Sequence, residues 1–124
     1  MANENSVRTV LVIEDDYFIR ETLKEVLECE GYRVWTAQNG RVGLEKLRHS
    51  PMPSLILLDM LMPVMGGREF LDELLKDDVL APIPVVIVSA NADISNAMGA
   101  TAFIKKPVDL DMLLDIVQQY SLAF

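Results

Sequence analysis

Apolar and polar positions along this chain follow two rhythms. Short runs rich in β-branched and apolar residues lie at 7–13, 32–37, 54–58, 83–88 and 101–104. Their length and composition read as strands, and the run 54–58 is unbroken until it ends at Asp59. Between the runs, apolar residues recur at helical spacing. Ile19, Leu23, Val26 and Leu27 do so over 16–30, and Val42, Leu44 and Leu47 over 41–49. Phe70, Leu71, Leu74 and Leu75 mark a third helix over 68–76. Leu110, Leu113, Leu114 and Val117 mark a last one, with Asp109 placed to cap it. Gly31 stands where a helix C-terminal glycine belongs. Asn39-Gly40 is turn chemistry, Ser50-Pro51-Met52-Pro53 breaks the second helix, and Pro63 with Gly66-Gly67 makes a loop. Pro82 and Pro84 open the fourth strand, where a missing N–H does least harm.

Strands that are apolar throughout and alternate with helices call for a parallel sheet covered on both faces. Right-handed crossovers then leave a five-stranded doubly wound α/β sheet, which takes ligands beyond the carboxyl ends of its strands. One stretch strains this plan. A βαβ crossover needs at least about 10–12 residues including its helix, and 91–100 only just supplies them. Gly99 ends any helix there, so the fourth helix is expected to shrink to a turn or two over 93–98, or to be replaced by a loop.

Composition narrows the function classes. A chain of 124 residues, 51% hydrophobic and 24% charged, suits one globular domain over 7–121. An extended or disordered segment, 1–6, precedes it and a tail, 122–124, follows. The formal net charge of −8 repels nucleic acid phosphates and anionic lipid. Neither a nucleic acid nor a membrane is therefore an expected partner. The lone Cys29 allows no internal disulfide and no CxxC site, and reads as a packing residue near a helix end. His49, the single histidine, falls at a helix end and reads as exposed, which leaves histidine-based catalysis nothing to work with. With no hydrophobic leader core near the N-terminus and no apolar run of spanning length, the expected location is the cytoplasm.

The strand ends carry the candidate chemistry. Strand one ends in Glu14-Asp15-Asp16, strand three in Asp59 and strand four in Ser89, and strand five runs into Lys105-Lys106-Pro107. Crowded carboxylates are costly: two unit charges about 4 Å apart repel by roughly 4 kcal/mol at an effective dielectric near 20. Either their pKa values rise or a cation sits among them. Oxygen donors without soft ligands suit Mg²⁺, and an Asp beside such an ion can become a phosphorylated nucleophile. Taken singly, each residue has a plainer reading. Asp59 fits an ordinary strand end, Asp16 a helix cap, Ser89 a common strand terminus, Lys105 a solvated charge and Phe103 plain core. Met60, Met62 and Met65 belong to a loop, since thioethers are poor Mg²⁺ ligands. The convergence of the set outweighs the single readings.

The strings VLVIEDDYFIR, LILLDMLMPVMGG, VVIVSA and FIKKP, in this order over nearly the whole chain, resemble the receiver domains of two-component response regulators. The resemblance implies the flavodoxin-like strand order 2-1-3-4-5 and Asp59 as phosphoacceptor. In the family the second pocket acid lies five positions before an arginine of the first helix, so Arg20 selects Asp15 and its predecessor Glu14. Asp15, Asp59 and the Leu61 backbone carbonyl become Mg²⁺ ligands (Mn²⁺ being a substitute), with Glu14 acting through water. Ser89 resembles the switch hydroxyl, Lys106 the phosphate-binding lysine and Phe103 the aromatic switch residue. Lys106 rather than Lys105 is chosen because it precedes Pro107, in a peptide bond that the family holds cis. Leu61 and Asn91 flank the pocket and bear on phosphoryl lifetime.

Implied partners are a histidine kinase or histidine phosphotransfer protein as donor and a downstream protein as target, the chain being a monomer or weak dimer. In the family the fourth helix, the fifth strand and the fifth helix form a common output and dimerisation face, which a reduced fourth helix would alter. Two other functions compete. One is an interaction module that keeps the fold without the chemistry; the other is an aspartyl-phosphate phosphatase. The latter needs a second Asp two positions after the nucleophile, where this chain has Leu61.

Overall fold

The computed structural model describes residues 7–49, 51–90 and 99–121. The chain runs β1 (Thr9–Ile13), α1 (Tyr17–Cys29), β2 (Arg33–Ala37), α2 (Gly40–His49), β3 (Leu55–Asp59), α3 (Gly67–Lys76), β4 (Val85–Ser89), β5 (Ala102–Lys105) and α4 (Leu110–Tyr120). All five strands pair in parallel in the order β2-β1-β3-β4-β5, the doubly wound arrangement expected from the sequence.

Side chains alternate across a strand, so each strand feeds two cores. Leu11, Ile13, Ile56, Leu58, Val85 and Ile87 point to one face, where Leu44 and Leu47 of α2 and Phe70, Leu71 and Leu74 of α3 cover them. Val10, Val12, Leu55, Leu57, Val86, Val88 and Ile104 point to the other, beneath Leu23 and Leu27 of α1 and Leu113 and Val117 of α4. Each such side chain, fully buried, contributes roughly 1.5–3 kcal/mol. The inner strands β3 and β4 are buried along their whole length, which is why their sequence shows no polar alternation.

Local chemistry sets the helix ends. Asp16 caps α1 by accepting from the Ile19 amide at 3.0 Å, and Asp109 caps α4 by accepting from the Met112 amide at 3.1 Å. Gly31, at φ +94, follows α1 in the left-handed region that suits a helix terminus. Asn39 does more than turn the chain: its side chain accepts from the Val42 amide at 3.0 Å and so starts α2.

Several sequence expectations need correction. The first strand begins at Thr9, not Val7, because its ladder with β2 starts at Thr9 opposite Arg33; Val7 is 42% exposed. Ile83 is buried but outside the ladder, since Pro84 follows it without an N–H to give. Cys29 is exposed on the last turn of α1 and packs nothing away. Leu75 and Leu110 also lie on the solvent side of their helices. The reduced fourth helix expected over 93–98, like Asn91, lies outside the described residues, as do 1–6 and 122–124.

Candidate phosphoacceptor site

The parallel register builds one rim from distant segments. Ile13 of β1 lies opposite Leu58 of β3, so the next residues, Glu14 and Asp59, emerge abreast. Asp59 lies opposite Val88 of β4, one residue before Ser89. Ser89 lies opposite Lys105 of β5, and the Lys106 amide extends that ladder by donating to the Ser89 carbonyl at 2.9 Å. A cavity of about 270 Å³ opens at this rim, lined by Glu14, Asp15, Asp59, Leu61, Ser89 and Lys106.

Two close approaches fix the rim's shape. A Cβ on Gly67, the first residue of α3, would lie 2.9 Å from the Asp59 carbonyl oxygen and 2.8 Å from Met60 Cα. Only glycine therefore lets α3 start so close behind the strand end that carries Asp59. The Gly40 amide donates to the Met65 carbonyl at 3.0 Å and ties the start of α2 to the loop after Asp59.

Charge is concentrated here. Glu14, Asp15 and Asp59 each offer a carboxylate oxygen, all within 4.8 Å of one another. Glu14 and Asp59 are buried, at 2% and 6% exposure, while Asp15 faces solvent. The Lys106 ammonium donates to Glu14 Oε1 at 3.0 Å and to Asp59 Oδ1 at 3.5 Å. Glu14 Oε2 accepts from the Asp16 amide at 3.2 Å. The Glu14 pKa stands at about 7, up from 4.5: burial raises it most, the Lys106 hydrogen bond pulls it down, and the Asp59 charge pushes it up again. Burial lowers the Lys106 pKa, but its bond to Glu14 and the two facing carboxylates more than offset this, so it stands above 10.5.

Three carboxylates with no thiol or imidazole form a donor set that fits a hard, oxygen-seeking dication. One lysine neutralises this cluster only in part. Among the described residues no buried side-chain polar atom lacks a hydrogen-bond partner.

The other expected residues fall as follows. Ser89 is 1% exposed at the pocket wall. Phe103, opposite Ile87 in the β4–β5 pair, is half-buried against the core beneath α2 and α3. The Leu61 side chain is 69% exposed. The Lys106–Pro107 peptide is cis. A larger cavity, about 350 Å³, lies beside the acidic one between α1 and the β5–α4 loop, but its lining is apolar apart from Thr22 and Lys106 and holds no acid. In the sequence, Arg20 serves only to mark which acids belong to the pocket. Its guanidinium in fact donates to the Glu14 and Asp15 carbonyls. A long cation one helical turn after an acidic loop was the available signal.

Comparison with known proteins agrees with this geometry. The 40% identity to the transcriptional regulatory protein CrdR of Helicobacter pylori runs over 111 residues, 86% of this chain and 51% of that one. This chain therefore spans about half of CrdR's length. Sporulation initiation phosphotransferase F of Bacillus subtilis is 35% identical over 90% of this chain and 91% of its own. The crystal structure of response regulator protein TrrA of Thermotoga maritima, in complex with Mg²⁺ and BeF, superposes with a TM-score of 0.83 at 29% identity, covering 92% of this chain and 99% of that one. Among the described residues no helix is long and apolar enough to cross a membrane. The family model for the response regulator receiver domain matches residues 10–118, from the first strand through most of the last helix. A rim assembled in this register, inside a match of that extent, leaves one family: the chain is a response regulator receiver domain, a signalling domain of two-component systems.

Proposed function

We propose that the unit over 7–121 is a phosphorylation switch whose acceptor is Asp59. The observation that carries this reading is the convergence of Glu14, Asp15 and Asp59 within 4.8 Å, with the Lys106 ammonium at 3.0 and 3.5 Å from two of them. The donor is the phosphohistidine of a histidine kinase or phosphotransfer protein. An Asp59 carboxylate oxygen attacks phosphorus, the P–N bond breaks, and the imidazole leaves with the bonding electron pair. Asp15, Asp59 and the Leu61 carbonyl would hold Mg²⁺, or Mn²⁺ in its place, with Glu14 reaching it through water. When bound, the dication offsets the negative charge that phosphoryl oxygens bring to a site already holding three carboxylates.

The remaining steps belong to the chain itself. Lys106, already aimed at Asp59, pairs with the phosphoryl oxygens as a point charge. Ser89 supplies a hydroxyl from the neighbouring strand end. Phosphorylation adds about 1.5–2 negative charges at one point. As Ser89 and Lys106 are drawn to it, Phe103 moves inward and alters the surface around β5. That surface transmits a signal only by binding a protein target differently in the two states. Support for the reading also comes from the TrrA complex with Mg²⁺ and BeF, which has the same fold.

Intact-mass measurement after incubation with acetyl phosphate tests the proposal. The wild type gains one phosphoryl group with Mg²⁺ and none without it; Asp59→Asn gains none. A wild type left unlabelled under both conditions would favour the interaction module without chemistry.

A further inference from the structure

Arg20 has no part in the reaction described above, yet it makes an unusual pair of contacts. β1 ends at Ile13, and past the last rung, in which the Glu14 amide donates to the Ala37 carbonyl at 3.0 Å, the chain's carbonyls run beyond their strand partners. One guanidinium nitrogen of Arg20 takes their place, donating to the Glu14 carbonyl at 2.9 Å and to the Asp15 carbonyl at 3.3 Å. The guanidinium also lies 5.6 Å from the centre of the Tyr17 ring, which steadies it from one side. The Arg20 amide in turn donates to the Asp16 carbonyl at 2.9 Å, so the residue that holds the acidic turn is fixed in the first turn of α1.

We propose that Arg20 is a positioning residue: by holding both carbonyls it fixes the Glu14–Asp15 turn so that their carboxylates face Asp59 and the cation the three would share. The inference rests on the metal reading of the site and goes beyond it. It also has a counterintuitive sign. A positive charge near a cation site opposes cation binding by Coulomb repulsion. If Arg20 acted only through its charge, removing it would tighten Mg²⁺ binding. If it acts by holding the turn, removing it weakens binding.

Calorimetric titration of the chain with Mg²⁺ separates the two. Arg20→Met loses charge and donors, Arg20→Lys keeps the charge without the two-carbonyl grip, and Arg48→Met removes an equal charge at the far end of α2. Arg20→Met and Arg20→Lys are each expected to bind Mg²⁺ about 10-fold more weakly, as when a group that orients a ligand is lost. Arg48→Met is expected to match the wild type. At saturating Mg²⁺ both Arg20 variants should regain the wild-type rate of labelling by acetyl phosphate. In metal-free protein, hydrogen exchange at the Asp16 amide should quicken in both. Arg20→Met binding as tightly as wild type or tighter would overturn the proposal, as would Arg20→Lys behaving as wild type. A wild type that binds no Mg²⁺ would contradict the proposed function and this inference together, and the wild-type titration alone identifies that case.

Discussion

Leu58 and Asp59 are neighbours on β3, and both are almost sealed from solvent, at 0% and 6% exposure. Leu58 belongs to the apolar body of the sheet, beneath α2 and α3. One step along the strand, Asp59 enters a rim where another buried carboxylate and a lysine crowd the same space. Burial stabilises the first residue through lost water contact. At the second, burial holds charge together at a cost, and so prepares the site for a cation and a phosphoryl group. Leu58 and Asp59 are almost equally buried, and the chemistry of the side chain decides whether that burial serves the fold or the function.

The sharpest way to break this comparison is to substitute the two neighbours. Asp59→Asn should abolish Mg²⁺-dependent phosphoryl uptake, read by intact mass. It should change metal-free stability by less than about 1 kcal/mol, because Lys106 keeps its 3.0 Å bond to Glu14 and the lost 3.5 Å contact is offset by relief of repulsion with Glu14 and of the cost of burying the Asp59 charge. Leu58→Ala should do the reverse, lowering the denaturation free energy by about 2–5 kcal/mol through a cavity in the core. A large stability loss in Asp59→Asn would place it with the body instead of the rim.

A smaller effect concerns pH. The Glu14 carboxyl has a pKa of about 7 in the folded chain against about 4.5 unfolded. Between these values the folded state binds more protons than the unfolded state. Glu14's contribution to stability therefore falls as pH rises from about 4.5 to 7 and is level above that. The Lys106 pKa is raised, so its own contribution stays constant below about 10.5 and does not disturb this window. In metal-free protein, wild-type stability relative to Glu14→Gln should drop by about 2–3 kcal/mol from pH 4.5 to 7.5. Saturating Mg²⁺ should flatten the slope, since a nearby dication favours the charged carboxylate.

The smallest effect tests whether strain is confined to the rim. Val64, in the loop after Asp59, holds φ +72, a left-handed conformation that a β-branched residue resists. Val64→Gly should raise stability by about 0.5–1 kcal/mol, the relief of strain less the added freedom of the unfolded glycine. Urea denaturation resolves that difference. A loss of stability would mean that the exposed Val64 side chain packs usefully.

Much of this molecule was legible in its sequence because single-residue chemistry decided it. Strands buried on both faces need unbroken apolar runs, and β3 and β4 have them. Caps need short polar side chains at fixed positions, and Asp16 and Asp109 supply them. The acids and lysine of the rim lay at strand ends, where a parallel sheet gathers what is far apart in the chain. What escaped depends on the third dimension. Nothing local says that Lys106 reaches across to Glu14, that Gly40 binds the Met65 carbonyl, or that Cys29 turns outward. Those outcomes follow from register and helix rotation, which many residues set jointly.

The most direct test of the central claim is to find which residue carries the phosphoryl group. The chain is labelled with acetyl phosphate and Mg²⁺, the acyl phosphate is reduced with borohydride, and the peptides are mapped by mass. Modification at Asp59 alone is the expected result. Modification at Glu14, Asp15 or a hydroxyl residue, with Asp59 intact, would contradict the account.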